Sequence, residues 1–229
     1  MRPTQNQSII DLDARINGFL KNSGIKKEQL AYKWKGWDET SSKKLFQMFH
    51  EDLRNALDNN VNPEISLCIE RILAWGGINK NKKNAKMIDE RFPNMLRKLD
   101  TQDGNLNQED IDDSLPSWTK VLAAYAPDEF CIYDSRVAIA LRFLIRDKEW
   151  FIPYPYGQNT MAAYKELKKI FDKKNWLTPK ESYWEYLDLL RNTCPDNPGK
   201  YEKQLFMLGG VLAEMCATDP PRWNKALNS

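Results

Sequence analysis

The stretch Leu115-Pro116-Ser117-Trp118-Thr119-Lys120-Val121-Leu122-Ala123-Ala124-Tyr125 and, after Ala126-Pro127-Asp128-Glu129, the stretch Phe130-Cys131-Ile132-Tyr133-Asp134-Ser135-Arg136-Val137-Ala138 decide how the chain is read. The first predicts an apolar helix from about Ser117 to Tyr125, with one lysine in its opening turn. The second places Asp134 where an N-cap belongs, ahead of a helix from Ser135 to Arg146 striped by Val137, Leu141 and Leu144. The first helix carries the chain away by ~1.5 Å per residue, and a connector over 126–133, at up to ~3.3 Å per residue, is long enough to bring it back. Lys120 and Asp134 can then face one another at the mouths of two neighbouring helices.

Outward from this pair, spacings of three and four dominate. Ile9, Leu12, Ile16 and Leu20 mark a first amphipathic helix that ends near Asn22-Ser23-Gly24. Leu45, Phe49, Leu53 and Leu57 mark a second, from about Ser41 to Asp58. Pro63 sits early in a third, whose stripe is Ile65, Ile69, Ile72 and Leu73 and which stops at Trp75-Gly76-Gly77, where paired glycines suit a left-handed cap. Lys83 to Arg91 reads as a short helix before Pro93, Met95 to Leu99 as a further turn, and the Gly/Asn/Asp-rich run from Asp100 to Gln108 as a surface loop. Pro153, Pro155 and Gly157 make an aromatic loop, and helices are expected from Thr160 to Lys173, Pro179 to Thr193 and Lys200 to Cys216. There is no internal repeat and no convincing alternating strand, so the expected class is all-α, with an N-terminal helical segment over 1–62 and a larger helical domain over 63–229.

Composition removes whole classes of chemistry. With 229 residues, 41% of them hydrophobic, the chain can bury a sizeable core, and no apolar run approaches the ~20 residues of a membrane span. The polar start from Met1 to Asp11 lacks the apolar core of a secretory signal, and a cytoplasmic location is expected. Cys68, Cys131, Cys194 and Cys216 show no metal-ligand spacing, so no metal is expected and the thiols are read as reduced. His50 is the single histidine, on a helix stripe beside Phe49, which argues against histidine triads. No Gly-rich phosphate loop is present, and no cofactor is expected. The net charge of +2 decides nothing, but its distribution matters. Lysines gather between Asn79 and Lys86 and again from Lys165 to Lys174, while acids gather between Asp100 and Asp113.

Two readings of Lys120 and Asp134 are open from spacing alone. In one, Asp134 only caps its helix and Lys120 is a solvated first-turn residue. In the other, the pair is a nucleophilic amine beside a carboxylate. An amine attacks carbon only when unprotonated, so it needs desolvation by neighbours such as Trp118 and Tyr133. The carboxylate can stabilise a positively charged sugar or orient the attacking group.

The same residues resemble the catalytic core of the helix–hairpin–helix base-excision DNA glycosylases, closest to the 8-oxoguanine branch and its compact prokaryotic relatives. Leu115-Pro116 and Thr119-Lys120 match the lysine-bearing hairpin, and Ile132-Tyr133-Asp134-Ser135-Arg136-Val137 matches the run that supplies the aspartate. The hairpin glycines are replaced by Ser117-Trp118 in a shortened turn, and the lysine-to-aspartate connector is short. Near the C-terminus, Glu202-Lys203-Gln204-Leu205-Phe206 resembles the family's base-reading helix, with Phe206 for stacking and Glu202 in place of a glutamine. A carboxylate accepts hydrogen bonds where an amide also donates, so the base recognised can differ. Phe206 as plain core beside Leu205, Leu208 and Leu212 is the competing reading.

The resemblance implies a two-lobed helical fold with a modified helix–hairpin–helix and a central cleft, and a monomeric enzyme acting on double-stranded DNA with one nucleotide flipped out. Lys120 and Asp134 would be catalytic, with AP-lyase activity if the lysine forms a Schiff base. Trp118, Tyr133, Trp75, Phe206 and Glu202 would line the base pocket. Arg136, Asn79, Lys80, Lys82, Lys83 and Thr119 would meet DNA, making affinity salt-dependent. The substrate would be a damaged base or a deliberately modified one, as in foreign viral DNA met in antiviral defence. Trp34 and Trp37, interleaved with Lys33 and Lys35, have the pattern of a stacking surface with phosphate contacts, or of a helix docked on a core. Tyr154 and Tyr156 are further aromatics outside the stripes. The alternative for the whole chain is a non-catalytic helical module that binds DNA or a protein.

Overall fold

The computed structural model describes residues 11–101, 114–146, 157–170, 177–194 and 197–228. The expected acidic loop, apart from its first two residues, falls outside them, as do Ile9, Pro153, Tyr154, Pro155 and Tyr156. Among the described residues the chain is helical: α1 Leu12–Ser23, α2 Glu39–Asp58, α3 Asn62–Trp75, α4 Phe92–Thr101, α5 Leu115–Tyr125, α6 Ser135–Leu144, α7 Met161–Lys168, α8 Pro179–Thr193, α9 Pro198–Thr218 and α10 Pro220–Leu227. A single small hairpin, β1 Lys33–Trp34 and β2 Trp37–Asp38, interrupts them. None of the helices is long and apolar enough to cross a membrane.

These residues sort into two compact units that the expected boundary at residue 62 does not describe. One runs from Tyr32 to Asp134 and adds Thr178–Glu181. The other takes the described residues up to Ala31, those from Ser135 to Leu177 and those from Ser182 onward. The boundary at 62 fails because α2 packs on α3 and α5, whereas α1 packs on α6 and α10. The described residues before 62 are thus shared between two cores.

In the unit from Tyr32 to Asp134, the apolar stripes behave as their spacing requires. Ile65, Ile69, Ile72 and Leu73 of α3 are fully buried, and Leu53 and Phe49 of α2 meet the same core. A wide turn over Met87–Arg91 runs directly into α4. Pro93 therefore does not end a helix as expected. It lacks an N–H and would crowd the carbonyl four residues back, and the wider turn just before it relieves both problems. In the other unit, α6 buries its stripe Val137, Leu141 and Leu144, and burial extends to every position from Val137 to Leu144, the charged Arg142 included. It lies against α9 so closely that a methyl on Gly209 would overlap the Arg136 carbonyl. Tyr201 of α9 donates its hydroxyl to Asp13 of α1.

Helix α5 begins at Leu115, two residues earlier than expected, with Pro116 in its first positions. Ser117 and Trp118 are helical, so no shortened hairpin turn exists over 115–120. A proline that presets φ and the absence of glycine leave nothing to reverse the chain there.

Candidate active site

The site centres on Lys120. As the sixth residue of α5 it lies in the second turn, with 6% exposure, and is not the solvated first-turn residue that spacing alone allowed. Helical side chains lean toward the N-terminus of their helix, and this one does so until Nζ donates to the Pro116 carbonyl at 3.1 Å. On its way the aliphatic stem crosses the end of α3. A Cβ on Gly76 would stand 2.5 Å from both Cδ and Cε of Lys120, so any larger residue there would have to displace the lysine stem. The chain reverses one residue later. Gly77 takes φ +82°, its N–H bonding the Ala74 carbonyl, while Ile78 N–H bonds that of Leu73 at 2.8 Å. The two glycines divide the labour: Gly77 supplies the left-handed backbone and Gly76 the clearance.

Asp134 is half-buried and directly precedes α6. The link between it and Lys120 runs through their neighbours. The Thr119 hydroxyl, fully buried, accepts a hydrogen bond from the Tyr133 amide at 3.1 Å. The residue before the lysine is thereby tied to the residue before the aspartate. Connector residues Phe130, Cys131, Ile132 and Tyr133 are all buried, which fixes the run leading to Asp134 in the core of its unit. Thr119 is accordingly a clamp within the protein and not a DNA contact.

Two aromatic rings assigned to a base pocket are instead core. Trp118, 1% exposed, meets Phe92 edge-on with centroids 4.5 Å apart, and Tyr133 is fully buried. Trp75 is half-buried and packs edge-on against Phe46 at 4.8 Å, and its carbonyl accepts from Lys35 Nζ at 3.1 Å. Lys35 comes from the turn of the hairpin, so Tyr32–Trp37 is not a helix on a core. The dipeptide Lys35-Gly36 between two tryptophans was the signal for a two-residue turn.

The basic run divides as well. Lys80 binds Glu70 and Asp89, each at 2.6 Å, and these hydrogen bonds, Asp89 first, push its ammonium pKa up. A lysine held by two carboxylates is an internal tie and is withdrawn from the DNA contacts. Asn79 lends its carbonyl to Asn81 Nδ2 and Asn84 Nδ2 at 3.2 and 3.1 Å, which orders the turn. Lys82 and Lys83 stand exposed on that turn, with no ion pair among the described residues.

The remaining candidates belong to the other unit. Leu205, Leu208 and Leu212 are fully buried, but Phe206 is only half-buried, so it is not part of the core stripe of α9. Arg136 lays its guanidinium 4.8 Å from the Phe206 ring centroid, and Glu202 sits half-buried one turn back along α9. Compared with known family models, curated proteins and solved structures, the chain gives no significant match.

Proposed function

We propose that this chain is a DNA N-glycosylase that excises a flipped-out, damaged or modified base. Lys120 is the nucleophile and Asp134 the carboxylate that stabilises the positively charged sugar. The observation that carries this reading is the clamp from Thr119 to Tyr133, which ties together the residues preceding a buried amine and a half-buried carboxylate. Burial strips an amine of the hydration that favours its charged form, and only the neutral form attacks carbon. Nζ bonds to the sugar C1′ as the glycosidic bond breaks, the base leaves with that electron pair, and loss of the amine proton with ring opening gives a Schiff base. Where the amine falls short of the sugar, Asp134 activates water instead and an abasic site remains. Exposed Lys82 and Lys83 supply phosphate contacts within the same unit. Phe206 with Arg136 offers an aromatic and cationic face for a nucleotide on the other unit.

Borohydride trapping tests the covalent form. Reduction in the presence of substrate DNA gives a protein–DNA adduct with the wild-type chain and none with Lys120→Gln. Adduct formation undiminished in Lys120→Gln removes the lysine from the reaction. The role in antiviral defence is tested by the substrate itself, as preferential release of bases from modified phage DNA over oxidised DNA.

A further inference from the structure

The hairpin Lys33–Asp38 has no part in the chemistry just described, yet its geometry is costly to build. Lys35 and Gly36 both take positive φ, +50° and +84°, the signature of a primed two-residue turn. Asparagine–glycine suits such a turn, and a lysine in the left-handed region is strained. Strain of this kind is often kept where a side chain has a task. Here it delivers the Lys35 ammonium to the Trp75 carbonyl, the residue next to the glycine that carries the Lys120 stem. The strand register pairs Trp34 with Trp37, which puts both indoles on one face. Trp34 is half-buried with Lys35 Nζ 5.5 Å from its ring centroid, while Trp37 is 39% exposed. Lys33 on β1 is exposed, as are Lys43 and Lys44 early in α2, which follows β2 directly, and the last two make no ion pair among the described residues.

An exposed indole on a lysine-bearing turn, in the same unit as Lys120, matches a nucleic-acid strand: a flat base for the ring and phosphates for the lysines. We infer that this hairpin grips DNA at an unstacked nucleotide, with Trp37 stacking on the base and Lys35, Lys43 and Lys44 contacting the flanking phosphates. The inference rests on the glycosylase reading for its ligand and extends it by naming where the opened strand is held.

Fluorescence anisotropy with a short labelled single strand and its duplex tests this without requiring base release. Trp37→Ala weakens single-strand binding about tenfold, and Trp37→Phe retains most of it. Lys35→Asn suits the turn, so its thermal midpoint does not fall, while the slope of log affinity against log salt drops by about one. Wild-type affinity and salt slope in both Trp37→Ala and Lys35→Asn overturn the inference. Base release by the wild-type chain, measured in parallel, separates the two ideas. Hairpin variants that bind weakly uphold the hairpin whether or not a base is released, and the absence of base release removes only the glycosylase reading.

Discussion

At Gly76 the backbone is ordinary, with φ −71° and ψ 0°, so conformation alone would admit alanine. The obstacle is Lys120, whose Cδ and Cε would lie 2.5 Å from the new carbon. Gly76→Ala is expected to cost about 1–3 kcal/mol by overpacking, measured by urea unfolding. In a Lys120→Ala background the same change should cost clearly less, because the stem is gone and only the Leu73 carbonyl, 3.3 Å from the new carbon, still crowds it. An equal cost in both backgrounds would show that the two residues do not touch. The sequence showed a glycine pair at a helix end and a lysine forty-odd residues away, and nothing in spacing could join them. Trp118 illustrates the opposite error. A tryptophan two residues before a candidate nucleophile looks like a pocket wall, yet helical geometry turns it toward Phe92 in the core.

The bond from the Tyr133 amide to Thr119 fastens the connector to α5. Thr119→Val keeps the shape and removes the hydroxyl that accepts from the Tyr133 amide inside the core. A loss of about 1–3 kcal/mol is expected in denaturant unfolding, with most of it recovered in Thr119→Ser. No difference between valine and threonine would mean that the connector is held by packing alone. Helix α2 offers a pH-dependent counterpart. Asp38 caps it by accepting from the Ser41 amide at 2.8 Å, and that bond, with the Ser41 hydroxyl next in effect, holds its carboxyl below the ordinary value of 3.8. A depressed folded-state pKa stabilises above 3.8, and the benefit disappears as pH falls through it toward the lower folded value. The stability gap between wild type and Asp38→Ala should therefore be present at neutral pH and close below that point in parallel pH-dependent melts. Helices were legible because burial enforces the 3.6-residue stripe, as in α3, where every stripe residue is fully buried. The hairpin was not, since strands of two residues are too short to show alternation and are betrayed only by their turn.

At the scale of the molecule, the division into units could not be read along the chain. Helix α1 shares a unit with α6 and α10, and such pairing depends on contacts between residues far apart in sequence. The stripe Val137, Leu141 and Leu144 marked the buried side of α6, whereas the burial of Arg142 and the partner of α1 left no local trace. The candidate site fared differently because its parts are close in sequence. Lys120 and Asp134 were legible from one stretch, and the added parts, Gly76 beneath the stem and Lys35 beyond it, come from elements that only folding brings there. The proposed activity turns on whether the carboxylate at Asp134 does chemistry. Mass-spectrometric detection of free bases released from oxidised, alkylated and phage-modified DNA by wild-type and Asp134→Asn proteins of equal thermal stability tests it most directly. Release by the wild type that falls at least about a hundredfold in Asp134→Asn, with DNA binding retained, is the predicted result. No base released from any of these DNAs by the wild-type chain, or release unchanged in Asp134→Asn, would contradict it.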